Sequence, residues 1–113
     1  MIANVGNAEH YEWGRICEGW RLVDRADLSV IQERMPPGSS EVRHRHGLAR
    51  QVFVVLRGHL TIETDAGTAL LAAGDALEIP PLEPHVARND SSDDVWFLVI
   101  SAPSTRQDRQ TLE

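Results

Sequence analysis

From Trp20 onward this chain is a succession of short β-patterned runs, each broken within a few residues by glycine, proline, asparagine or aspartate. The runs fall at 20–24, 28–35, 41–46, 51–57, 59–64, 68–72, 76–79, 85–89 and 95–102. The breaks fall at Pro36-Pro37-Gly38, Arg57-Gly58, Asp65-Ala66-Gly67, Ala73-Gly74-Asp75 and from Asn89 to Asp94. Such punctuation interrupts the 3.6-residue period of a helix before it can bury a face, whereas it suits the period of two of a strand. An all-β sandwich or barrel is predicted, with no convincing helix.

One run asks for more than a single barrel. Val95 to Ile100, VWFLVI, is apolar at every position. A strand buried on both faces needs protein on each side, and a small barrel supplies only the inner one. A second copy of the chain is therefore expected on the outer face, making a homodimer; the alternative cover is the N-terminal segment. Residues 1–18 read as an irregular arm whose Tyr11 and Trp13, with Trp20, add apolar bulk near Gly14 and Gly19. Residues 104–113 read as a polar tail that frays.

At 113 residues the chain is expected to be one domain, 1–113, with a core of modest size. No apolar run approaches the ~20 residues of a membrane-spanning helix. The N-terminus lacks the basic start and apolar stretch of a signal peptide, so a cytoplasmic location is expected. The single cysteine, Cys17, has no internal partner and reads as a small buried residue. A formal charge of −6 argues against nucleic acid and acidic membrane as partners and leaves a small molecule. All eleven basic residues are arginine, which excludes Schiff-base chemistry on a lysine side chain.

Histidines 44 and 46 stand two apart with Val42, so in an extended strand they share a face, with Cα atoms roughly 6.6 Å apart. Arg43 and Arg45 must face the other way, and with Arg50 they form a basic cluster that reads as a solvated or ion-paired strand face. Gly47 to Arg50 allow a tight turn, after which Gln51, Phe53 and Val55 share one face of VFVVL. His85 follows Pro80, Pro81 and Pro84, whose fixed φ marks a loop and a strand start. Three neutral imidazoles and an amide oxygen suit a first-row divalent metal and leave coordination positions open.

The spacings Gly38-x5-His44-x-His46-x4-Gln51-x6-Gly58 and Gly74-x5-Pro80-x4-His85-x3-Asn89 resemble the paired motifs of the cupin superfamily, over about half of the chain. The resemblance implies a double-stranded β-helix, or jelly roll, with His44, His46, Gln51 and His85 as metal ligands. Two positions depart from the family pattern. Leu82 replaces a glycine of the second motif, and another turn type is expected to meet the backbone need there. Gln51 replaces the usual glutamate, which leaves a bound metal one unit more positive and favours an anionic substrate. Some small cupins that act on uronates are similar in carrying glutamine at this place.

A metal-dependent enzyme of dioxygenase, isomerase or lyase type, acting on a small oxygenated anion such as an enolisable compound or a sugar acid, is the function expected. Iron, manganese, nickel and zinc all suit the donors. The alternative is a sugar-binding or sensing module without turnover; a structural or storage protein fits a chain this short poorly. Phe53 and Val55 are expected to wall the pocket. Glu33, Arg34, Glu41 and Tyr11 are candidates for a general acid or base, and strand phase does not choose among them. His10 and His59 receive no role.

Overall fold

The computed structural model describes residues 1–112, and the strands account for its architecture without a helix among these residues. In chain order they are β1 (Glu9–Trp13), β2 (Cys17–Asp24), β3 (Ser29–Met35), β4 (His44–His46), β5 (Arg50–Arg57), β6 (His59–Thr64), β7 (Gly67–Ala72), β8 (Ala76–Ile79), β9 (His85–Arg88), β10 (Val95–Ala102) and β11 (Arg109–Thr111). They form two antiparallel sheets, β1-β2-β3-β10-β5-β8 and β11-β4-β9-β6-β7. This is the all-β double-stranded β-helix arrangement.

Register explains where the core lies. β10 runs between β3 and β5, pairing Phe97 with Glu33 and Val55, and Val99 with Ile31 and Phe53. Its odd positions, Val95, Phe97, Val99 and Ser101, point inward and are buried. Facing them from the second sheet are Leu60, Ile62 and Ala87, all fully buried. Each large apolar side chain removed from water in this way contributes roughly 1.5–3 kcal/mol. Trp96, Leu98 and Ile100 alternate outward and are only half-buried, so the wholly apolar run is split by the pleat into a core face and an outer one.

Gly58 makes the β5–β6 turn possible. Its φ is +87°, and a Cβ there would lie 2.5 Å from the Asp94 carbonyl oxygen, so the turn passes too close to the start of β10 for any side chain. Asn89 holds the other side of the same region. Its Nδ2 donates to the carbonyls of Met35 and Asp93, both at 2.8 Å, tying the 89–94 loop to the end of β3.

Three expectations require correction. Residues 1–18 are not irregular throughout: β1 and the start of β2 form a hairpin on the edge of the larger sheet, pairing Tyr11 with Gly19. The 104–113 tail does not simply fray, because β11 pairs with β4, Arg109 opposite His46 and Thr111 opposite His44. The run 41–46 shortens to β4, since the Glu41 amide donates to Ala87 O and Val42 is turned out, 59% exposed, rather than sharing the histidine face.

Candidate metal centre

β4, β5 and β9 each bring a polar side chain to one end of the inter-sheet space. His44 and His46 point inward from β4, and His44 is the direct cross-strand partner of His85 at the start of β9. Gln51 opens the inward face of β5 beside Ser101 of β10. All four are buried, at 1–5% exposure. The ring centroids lie 4.4 Å apart for His44 and His85, 5.0 Å for His44 and His46, and 5.8 Å for His46 and His85. One ring nitrogen from each histidine falls within 4.8 Å of the others, close enough for one ion to bridge all three.

Hydrogen bonds set which atoms face that point. His44 Nδ1 lies 2.7 Å from Val42 O and His85 Nδ1 lies 2.9 Å from Glu83 O. A carbonyl only accepts, so both Nδ1 atoms carry the proton and both Nε2 atoms keep a free lone pair. Gln51 Nε2 donates to Ser101 Oγ at 3.1 Å, which turns Oε1 the other way. Gln51 Oε1, His85 Nε2 and both ring nitrogens of His46 are buried without a hydrogen-bond partner. Buried polar atoms are rarely left so, and the unprotonated nitrogens of three neutral imidazoles brought this close are what a cation would satisfy.

The rings are held neutral, as ligands must be. Burial lowers His44 to about 3, with Arg109 and the other two histidines adding to it against the Val42 hydrogen bond. Burial and His85 lower His46 to about 4, and burial lowers His85 as well. Arg109 Nη2 stands 3.3 Å from His44 Nδ1; both groups are donors, so this approach repels a second proton on the ring.

The turn between His46 and Gln51 is fastened from the C-terminal segment. The Asp108 carboxylate accepts from the amides of Gly47 at 3.0 Å, Leu48 at 3.1 Å and Ala49 at 3.0 Å. Burial opposes its charge, yet these three amides outweigh burial and hold the carboxyl below its ordinary range. On the other side of His46, the Leu82 amide donates to the His46 carbonyl at 2.7 Å. Leu82 itself has φ +70°, so no other turn type replaces the expected glycine: the leucine takes the left-handed conformation.

Beside His44, His46 and Gln51 lies a cavity of about 200 Å³ that Tyr11, Trp13, Glu33, Glu41, Phe53 and Arg109 help to line. Phe53 forms part of its wall as expected, whereas Val55 belongs to the core beneath it. Arg34 is excluded, being bound to Glu18 at 2.8 Å and Asp94 at 3.1 Å. Its basic counterparts Arg43 and Arg50 pair with Asp65 and Glu78 on the surface, and Arg45 bonds Gln110. His10 pairs with Glu18 at 3.3 Å, away from the centre. Arg109 and Asp108 were missed by sequence reasoning, since nothing in STRQDRQTLE distinguishes one polar residue from the next, and Trp13, read only as apolar bulk, was not placed at the cavity.

The family model for the cupin domain (Cupin_2) matches residues 31–101, a span that contains His44, His46, Gln51 and His85. The chain is a cupin. Over 78 residues it is 36% identical to the beta-alanine degradation protein BauB of Pseudomonas aeruginosa, covering 67% of this cupin and 82% of that protein. Among solved structures, KdgF from Halomonas sp. matches with a TM-score of 0.85 at 17% identity, over 95% of this cupin and 98% of that chain. The polyketide cyclase RemF from Streptomyces resistomycificus matches at 0.81 and 21% identity, over 100% and 87% respectively. These structural likenesses bear on the fold. Among the described residues no helix is long and apolar enough to cross a membrane.

Proposed function

We propose that His44, His46 and His85, each through a ring nitrogen, and Gln51 through Oε1 hold a divalent first-row transition metal, and that the protein is a metal-dependent enzyme acting on a small oxygenated anion. The observation that carries this reading is the set of buried acceptors without partners, converging from three strands. Such a metal would act as a Lewis acid on a substrate oxygen, or with iron support dioxygen chemistry. The four donors bring no charge of their own. With Arg109 beside His44, the mouth of the site therefore favours an anion. The cavity is smaller than the ~300 Å³ at which drug-sized ligand sites begin, so the substrate is small. The name of the Pseudomonas relative, a beta-alanine degradation protein, is in keeping with a small carboxylate.

The remaining side chains have roles that follow from position. Phe53 and Trp13 keep water from the ligands, Asp108 fixes the turn that spaces His46 from Gln51, and Ser101 orients the Gln51 amide. The protein is further proposed to be cytoplasmic and a homodimer joined through the outer face of the larger sheet.

Elemental analysis of protein purified without chelator or affinity metal tests the centre. The parent is expected to hold about one ion per chain, with strong loss in His44→Ala and retention or tighter binding in Gln51→Glu, given the 10–100-fold effects typical even of groups that support metal ligands. Equal metal in the parent and His44→Ala removes the proposed site.

A further inference from the structure

Among the described residues Glu33 is the only acid in the buried set, at 8% exposure, and its place in the sheet is unusual. It occupies an inward row in which its cross-strand neighbours are Phe97 on one side and Gly19 on the other, with Val55 beyond Phe97 and Tyr11 beyond Gly19. A carboxyl in such a row weakens the fold unless a cation meets it. Among the described residues no arginine forms an ion pair with it: Arg21 pairs with Glu9 at 3.6 Å, Arg34 with Glu18, and Arg109 approaches His44. Gly19 leaves room for the Tyr11 ring, since a Cβ there would stand 2.3 Å from it, and the ring packs over that gap toward Glu33. Glu33, Glu41 and Tyr11 line the same cavity as His44, His46 and Gln51.

We propose that Glu33 carries a proton to and from a small oxygenated molecule held at the three histidines; this rests on the reading of the site as an enzyme centre. The ionised carboxylate takes the proton from a carbon beside a carbonyl. The C–H electron pair becomes the new carbon–carbon double bond, and the carbonyl π pair moves onto oxygen as an enolate. The reverse step returns a proton from Glu33 to that carbon, so no oxidant or reductant is consumed.

The charged and titratable groups around Glu33 are Tyr11 on β1, Arg21 on β2, Glu41 before β4, His44 and His46 on β4, and Arg109 on β11. Burial, then repulsion from Glu41, raises Glu33 well above the ordinary carboxylate range, against Arg109 and Arg21. Its acid form is therefore favoured relative to that of a free carboxyl, and proton abstraction should rise with pH.

The test uses the protein as purified, its metal content measured first, in D2O with pyruvate, 2-oxobutyrate or dihydroxyacetone, following loss of the C–H signal beside the carbonyl by proton NMR. Exchange above the buffer rate is expected for at least one probe, increasing with pH. In Glu33→Gln it should fall about 100-fold or more, with metal content and calorimetric binding of that probe unchanged. Glu33→Asp should retain part of the rate, and Glu41→Gln should move the pH profile downward. Exchange at the parent rate in Glu33→Gln overturns the proposal, as does a metal-containing parent that exchanges none of the probes. Loss of metal or probe binding together with exchange in Glu33→Gln marks a structural role and overturns it as well. A parent that purifies without metal overturns the centre itself, which the elemental analysis reads separately.

Discussion

Gln51 holds its amide in one orientation because only one end has a protein partner. Nε2 is satisfied by Ser101, and Oε1 is left buried without a hydrogen-bond partner. Leu82 shows a different kind of local compromise. Holding a leucine at φ +70° costs about 1–2 kcal/mol against the favoured regions, and its side chain is 55% exposed, so little burial offsets that cost. After the extra flexibility of an unfolded glycine is allowed for, Leu82→Gly is expected to stabilise the protein by roughly 0.5–1 kcal/mol. Urea denaturation reads this directly, and a lower midpoint in the variant contradicts it. Glu41 contributes a pH effect. Burial raises it from 4.5 to about 7, although the Ala87 N–H and Arg109 lower it in part. The folded protein therefore binds a proton that the unfolded chain releases. The contribution is neutral below about 4.5 and turns unfavourable as pH rises toward about 7. Glu41→Gln removes it, so the stability difference between variant and parent should widen in favour of the variant across that window. A difference that does not change with pH between thermal melts at pH 4.5 and 7.5 contradicts the assignment.

At the scale of elements, the C-terminal segment matters more than its composition suggests. β11 contributes three exposed residues, yet it completes the sheet beside β4 and brings Asp108 under the turn that separates two proposed ligands. Asp108→Asn keeps the shape and removes the charge from three amide bonds. A loss of about 1–2 kcal/mol is expected near neutral pH, measured by denaturant unfolding. The sign with pH follows from the lowered carboxyl: its stabilisation is fully present above about 4, the ordinary carboxylate value, and disappears as pH falls through the lowered one. Parent and variant should accordingly converge in acid. A gap that persists at pH 2 shows that packing rather than charge is responsible. The N-terminal hairpin serves the site in a comparable way, since β1 places Tyr11 over Gly19 and brings Trp13 to the cavity.

Across the whole molecule, the outer face of the larger sheet stands apart. Ile100 lies between Val30 and Val52, and Leu98 beside Val54, all half-buried, with Trp96 stacked on Trp20 at 5.5 Å. The N-terminal hairpin extends this sheet at its edge and does not fold over that face, so it is not the cover that the apolar run VWFLVI asks for. A second copy remains the proposal. Leu98→Arg puts a charge at its centre and should convert a dimer to a monomer in light scattering, with the folded β signal retained. A parent that is monomeric at micromolar concentration ends the idea.

Strand positions from β5 to β8 and in β10, the turns at Gly58 and Gly74, and the spacing of the histidines were legible in the sequence because each depends on local alternation or on a residue with special backbone freedom. The two edge strands nearest the chain ends were not. β1 and β11 carry no apolar alternation of their own, and they are strands because β2 and β4 offer them unpaired backbone groups. For the same reason no pattern in the chain marked Asp108 or Arg109, which lie beyond the second motif, or chose Glu33 from among the other acid and base candidates. Sequence by itself determined the alternating faces and the histidine spacing, both short-range properties of an extended chain. Only tertiary structure decided which distant groups share the cavity, because cross-strand neighbours are set by non-local hydrogen-bond register.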